Sequence, residues 1–508
     1  MIMKTKYIET LLLGAFVTTF TACSLDIEPA SQPSELTEGT QTDTTTAVLK
    51  DREAAVSQRT AIYQLFRNRQ EHMHLDYVLL GDAHSDNAYG GTTGQETIPT
   101  ETNALDAATG TLSRDWSRYL EDIAKANVLI NGVEQLHQKG AVNDADYRQW
   151  RAEGQLFRAL LMFRMVRMWG SLPLITQVAK TITSENIKEV YPAYFPPKAD
   201  TQECYAQIIS DLEYAEQNAP DLSASDRTLL SKTVAQALLC KVYAEKPVRD
   251  YDKVIAYAQK VRNTPGVTLE NDFSTLWGWN AATQDCMKRN TSEGILEVHW
   301  QAGSGNWESW MYGRCLENYD NSFTWAKWVT PSRDLIKAFE DEGDTTRLNQ
   351  TVVYYSCGWS NYYPASRYAF MYKLRSGYNN EYVIRLADII LMEAEAEAAK
   401  GNLNAAAELV NMIRSRAKLP ALTADKTANQ SAMQAAVLQE RRLELALEGE
   451  RWYDLCRNDK VEAVMNGLNS RDSGRLPQAN PYTENSYLLP IPQSAIDENG
   501  NLEQNPGY

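Results

Sequence analysis

Residues 382–418 read YVIRLADIILMEAEAEAAKGNLNAAAELVNMIRSRAK, and this stretch decides the fold. Ala387, Ile390, Leu391, Ala394 and Ala398 step by three and four, the spacing of one buried helix face. After the turn pair Gly401-Asn402, the residues Leu403, Ala406, Ala407, Val410 and Ala417 do the same, and Pro420 closes the second helix. The spacing predicts an antiparallel pair, 382–400 against 403–418, with alanines where two helix backbones approach.

Working outward, 231–246 and 251–261 form a similar pair around Pro247. Residues 149–169 make a longer amphipathic helix, in which Ala152, Leu156, Ala159, Leu160, Phe163 and Val166 interleave with Arg151, Glu153, Arg158, Arg164 and Arg167. Gly170 and Pro173 end it. Short helix pairs with alanine at close-packing positions and a trailing proline resemble tetratricopeptide units, although a clean period of about 34 residues is absent. The fold class expected is mostly α, a tetratricopeptide-like scaffold of helical hairpins over 47–262 and 382–460.

Residues 263–381 break the helical pattern and hold eight of the 12 Trp, amid many Tyr, Gly, Asn and Ser. Residues 294–300 alternate like a short strand. A sugar ring offers C–H groups on one face and hydroxyls at its edge. Trp and Tyr supply an apolar plate with a polar tip to match it, provided that the rings are exposed and held firmly. Trp277, Trp279, Trp307, Trp310 and Tyr312 are therefore the candidate glycan contacts of this loop-rich, aromatic-rich insert, while most individual Trp are expected to fill gaps beneath long loops. After 460 the chain reads as loop again, with 487–492 as a buried extended segment.

The 508 residues carry 66 Asp+Glu against 50 Lys+Arg, a net charge of −16. Nucleic acid is excluded as a partner, because no basic stripe displaces phosphate counterions. Lys4 and Lys6, the apolar run 11–20 and then Thr21-Ala22-Cys23 read as a signal peptide over 1–22, with Cys23 as the acylated first residue of a bacterial lipoprotein. Phe20 departs from the usual Leu of that site. Residues 23–46, rich in Ser, Thr, Gln and Gly, read as a flexible tether to a single domain, 47–508. Six further Cys could pair in an oxidising compartment, but they form no CxxC and several fall in helical patterns, so they read as isolated buried thiols.

Residues 81–91 form a second polar, glycine-rich loop, where Asp86, Asn87 and Tyr89 are candidate ligand contacts. The same side chains suit sugar hydroxyls or a structural calcium ion, but the spacing is not that of an EF-hand, and a plain turn capped by Asp is an equal reading. Glu440, Glu444 and Glu448 line one helix face among arginines, which reads as ion-pair support and not as a hydrolase's carboxylate pair. The five His include no HExxH, and no GxSxG or Walker loop stands in the right context. No catalytic constellation and no cofactor are expected.

Several stretches occur in an order that resembles the SusD/RagB-like outer-membrane lipoproteins: Cys23-Ser24-Leu25-Asp26; 151–160 with Trp169-Gly170-Ser171-Leu172-Pro173; 382–391; 440–455; and 487–492 with Asn505-Pro506-Gly507-Tyr508. Gly154, where a small Ala is usual, is a minor departure. The resemblance implies a helical scaffold with a loop-rich glycan-binding face. It also implies a lipid-anchored protein at the cell surface that closes over a SusC-like TonB-dependent transporter and passes oligosaccharide inward. The implied contacts lie in an early loop and the central insert. Some members bind peptides, so the same lid role for peptides stays open, with a surface-anchored glycoside hydrolase as a further alternative.

Overall fold

The computed structural model describes residues 48–91, 96–178, 180, 182–300 and 328–508. The scaffold is helical. We number its longer helices α1 (Arg52–Asn68), α2 (Gly110–Gln138), α3 (Asp144–Trp169), α4 (Thr201–Asn218), α5 (Lys232–Ala244), α6 (Tyr251–Arg262), α7 (Arg333–Glu342), α8 (Leu386–Ala399), α9 (Leu403–Arg416), α10 (Gln430–Glu444) and α11 (Arg451–Arg457). From α2 to α6 each helix lies against the next; α6 meets α8, and α8 meets α9 and α10. Local chemistry sets the starts. The Ser231 side chain caps α5, Asp200 and Glu203 form a reciprocal capping box on α4, and Asn429 caps α10.

The helix pairs anticipated from spacing are present, with one shift. Residues 380–385 are strand, so α8 starts at Leu386 and not at 382. Helix α3 is more central than its amphipathic pattern suggested, because nearly every residue from Ala152 to Trp169 is buried. Its arginines survive there because each has a partner. Arg158 forks onto Asp211 of α4 at 2.7 and 2.8 Å, and Arg167 reaches Glu450 at 3.1 Å and lies 4.3 Å from the Tyr453 ring.

Among the described residues eight short strands pair as four two-stranded antiparallel ribbons: β1 (Ala88–Tyr89) with β5 (Thr330–Pro331), β2 (Trp279–Asn280) with β3 (Asp285–Cys286), β4 (Gly294–His299) with β8 (Asn380–Arg385), and β6 (Val352–Tyr355) with β7 (Tyr368–Met371). They form the loop-rich layer. The segment after Asn466 then runs back over the N-terminal half. Ala479 N–H donates to Thr102 O at 2.8 Å, Leu489 N–H to Met168 O at 2.7 Å, Gln493 N–H to Ala107 O at 2.8 Å, and Asn505 Nδ2 to Trp169 O at 2.9 Å. Leu489 and Ile491 are buried, as expected of the 487–492 segment. Cys204 and Cys240 are buried thiols, and no disulfide forms among the described residues. No helix among those residues is long and apolar enough to cross a membrane.

Candidate functional site

Residues 81–91 do not form an open ligand loop, and the expectation for Asp86, Asn87 and Tyr89 is corrected. All three are buried, and their polar atoms are already engaged within the protein. Asp86 accepts from Arg451 Nε at 2.8 Å and Nη2 at 3.0 Å, and lies 3.2 Å from Arg442 Nη2. Burial pushes its carboxyl up, but Arg442 and Arg451 outweigh that and hold it well below the usual carboxylate range. Asn87 Nδ2 donates to Asp82 at 2.8 Å, and its carbonyl accepts from Arg442 Nε at 2.9 Å. Tyr89 donates to Asp472 at 2.7 Å and stacks on Tyr362 with centroids 4.5 Å apart. A calcium ion does not fit a carboxylate already neutralised by two guanidiniums.

Asp82 is the other acid of this segment. It lies in a π-helical turn, Leu79–Ala83, and is fully buried. Gly449 N–H donates to it at 2.6 Å and Leu447 N–H at 3.2 Å. Burial pushes its carboxyl up to about 7 against these hydrogen bonds and that from Asn87. Leu447 and Gly449 both have positive φ, 63° and 83°, so Asp82 clamps a turn whose backbone is unusual. A side chain at Gly81 would overlap the Gly449 carbonyl, which explains the glycine there.

The insert divides its tryptophans. Trp277, Trp300 and Trp328 are buried, while Trp279 and Trp359 are half-buried. The candidacy of Trp277 is corrected: its ring meets Tyr382 edge-on at 5.1 Å and lies 4.9 Å from the Lys373 ammonium, inside a small cluster with Phe273 and Leu276. The cavity beside it, between Met73, Tyr77, Lys373, Tyr382 and Glu448, is about 40 Å³. That holds a few waters and no sugar ring.

Trp279 stands differently. It opens the β2–β3 hairpin, paired with Cys286, and its half-buried ring lies 5.7 Å from Tyr378 at 58°. Asn280 Oδ1 caps the hairpin turn by accepting from Ala282 N–H at 3.0 Å, and Arg289 ties the base to Asp285 and to the Trp300 carbonyl, both at 2.6 Å. A partly accessible indole on a braced ribbon has the properties that stacking needs. Trp307, Trp310 and Tyr312 lie outside the described residues.

A second aromatic ribbon, β6–β7, was not singled out by motif. Tyr354 is half-buried and Tyr355 is 39% exposed at its end. Its signal in the sequence is the pair of runs 352–355, Val-Val-Tyr-Tyr, and 368–371, Tyr-Ala-Phe-Met, the first β-branched and aromatic and the second half aromatic.

The glutamates read as ion-pair support do hold charge pairs, but across elements and in the core. Helix α10 ends at Glu444, so Glu448 stands in the following turn and not on the same helix face. Glu444 meets Arg385 at 2.6 Å, Arg347 at 3.1 Å and also Arg416, while Arg347 reaches Glu440 at 2.7 Å and Arg385 reaches Glu448 at 2.7 Å. A carboxylate enclosed by three arginines has no open side for a substrate.

Comparison with known proteins follows the same lines. Residues 362–508 match the SusD family, and residues 31–244 match a family described as starch-binding and associating with the outer membrane. SusD-like protein P2 of Formosa agariphila is 28% identical over 442 residues, 78% of this chain and 81% of its own length. A SusD superfamily protein from Bacteroides vulgatus superposes with a TM-score of 0.74 at 18% identity, over 91% of this chain and all of that one, 100%. The chain belongs to the SusD/RagB-like family. A laminarin-binding SusD-like protein superposes with a TM-score of 0.68 at 24% identity, over 90% of this chain and 100% of that one. In this SusD/RagB-like chain the motifs that carry the resemblance are scaffold: Arg385 and the 440–455 stretch meet in the buried ion network, and Leu489 N–H bonds the last turn of α3 at Met168.

Proposed function

We propose that this protein is a non-catalytic surface lipoprotein that captures oligosaccharide or polysaccharide and delivers it to a SusC-like TonB-dependent transporter in the outer membrane. Residues 1–22 are its signal peptide, Cys23 its lipidated residue, 23–46 its tether, and 263–381 its ligand-binding insert. The observation that carries the reading is the half-buried Trp279 ring set against Tyr378 on a braced hairpin. The descriptions of relatives as laminarin-binding and surface glycan-binding, and of the matching family as starch-binding, support a carbohydrate ligand. Tethering at a transporter mouth lets a weak site work, because the effective concentration is high.

The test is affinity gel electrophoresis of the chain from Ser24 against laminarin and starch, with wild type beside W279A. Retardation of the wild type is expected, and W279A should weaken binding by roughly 1–3 kcal/mol, about 5- to 150-fold. Equal retardation of both forms would remove Trp279 from the site. Release of reducing ends from either polysaccharide would overturn the non-catalytic part of the reading.

A further inference from the structure

We infer that the β6–β7 ribbon carries a second carbohydrate contact, selective for glycans bearing carboxylate or sulfate groups and centred on Arg367 and Tyr354. The inference rests on the glycan-binding reading above and names a further class of ligand for it.

Arg367 ends the 3-10 turn Ala365–Arg367 that leads into β7, and it is exposed. Its Cζ lies 4.1 Å from the Tyr354 ring centroid. Tyr354 in turn meets Tyr363 edge-on at 6.5 Å, and Arg333 lies 4.3 Å from the Tyr363 ring. The result is a ladder of two guanidiniums and two phenol rings, from exposed Arg367 through buried Tyr363 to half-buried Arg333.

Its two arginines are set apart from the buried arginines described above. Arg385, Arg416, Arg441 and Arg451 are each held by carboxylates. Among the described residues neither Arg367 nor Arg333 has a carboxylate within ion-pair distance. Arg333 is fixed by donating to the Tyr89 hydroxyl at 3.2 Å and to the Tyr362 carbonyl. Arg367 has only the Tyr354 ring, and the Tyr354 hydroxyl has no hydrogen-bond partner among the described residues. At the outer end Glu340 of α7 acts on Tyr354 against the fields of Arg367 and Arg333, while Asp472 acts on Tyr363 and Arg333 at the other end.

The free polar groups of the ladder's outer end can both donate, and the exposed guanidinium there is a positive group on a chain whose net charge is −16. A guanidinium stacked on a ring keeps its N–H edge outward, and that fork matches a carboxylate or sulfate with two parallel hydrogen bonds.

The test uses one backbone with three charge states, dextran, carboxymethyl-dextran and dextran sulfate, in titrations with wild type, R367Q, R367K and R67Q. Arg67 is an exposed arginine of α1 and serves as the control. Wild type and R67Q are expected to bind the anionic polymers and not dextran. R367Q should bind them roughly tenfold more weakly at about 50 mM salt, with the gap closing at about 500 mM. R367K should recover part of the binding, since it keeps the charge and loses the fork. Binding of only one anionic polymer would identify the group read, carboxylate or sulfate. If R367Q binds both like wild type, or wild type binds neither while its W279-dependent binding of laminarin or starch persists, the inference is wrong and the proposed function stands. If no polysaccharide binds at all, both fall.

Discussion

Three donors converge on the buried carboxylate of Asp82, from Asn87, Leu447 and Gly449, and none of them carries a full charge. Because burial raises this carboxyl to about 7, the folded state binds a proton that the unfolded state has released, and this site's share of stability falls as pH rises from about 4 to about 7. D82N should remove that dependence. The melting-temperature gap between wild type and D82N is expected to widen in favour of wild type as pH is lowered from 7 to 4, and a gap independent of pH would show that Asp82 does not titrate there. Sequence reading placed this loop at the surface for an understandable reason. Gly, Asp, His and Asn together look solvated, and nothing local reveals that Arg442 and Arg451, more than 350 residues away, neutralise Asp86. Long-range charge pairing leaves no periodicity to read.

At the level of elements, periodicity served well for finding and pairing the helices and poorly for how deeply each is buried. The pairs α5–α6 and α8–α9 were legible from three-and-four spacing with Gly-Asn or Pro between them. Helix α3 was found but misjudged as half-exposed, because arginine counts as polar until its partner is known. The turn after α10 broke the face assumed to unite Glu440, Glu444 and Glu448. Glu444 now provides a test opposite in sign to that of Asp82. Burial raises its carboxyl, but Arg416, Arg385 and Arg347 overcome that and hold it well below the usual range. Its contribution is therefore present above the unfolded value near 4.5 and is lost as pH falls. E444Q should cost about 3–5 kcal/mol near neutrality, by leaving three buried arginines short of charge. Denaturant titration should show that penalty shrinking as pH drops below about 4.5, the reverse of the trend for Asp82.

For the whole molecule, ordered motifs spread along the chain were enough to indicate the family, because they belong to the scaffold and the scaffold is what relatives share. The candidate site was less legible. Of the tryptophans chosen by composition, Trp277 went to the core and Trp279 to an accessible ribbon, two residues apart. Composition cannot distinguish them, since which ring faces outward depends on where the hairpin lands. The proposed lipid anchor is testable at this scale: C23A is expected to move the protein from the membrane fraction to the soluble fraction in its bacterial host, whereas unchanged partitioning would remove Cys23 as the point of attachment.

The return of the C-terminal segment over α2 and α3 also governs how this protein can be made. Asn480 donates to the carbonyl of Asn103, 377 residues earlier. At roughly 5–20 residues per second, about 20 to 75 s separate the synthesis of those two partners. Throughout that interval the apolar surface destined for Tyr482, Leu489 and Ile491 has no cover. The first helices therefore emerge from the ribosome as a half without its other half, and a holding chaperone has a defined window in which to act.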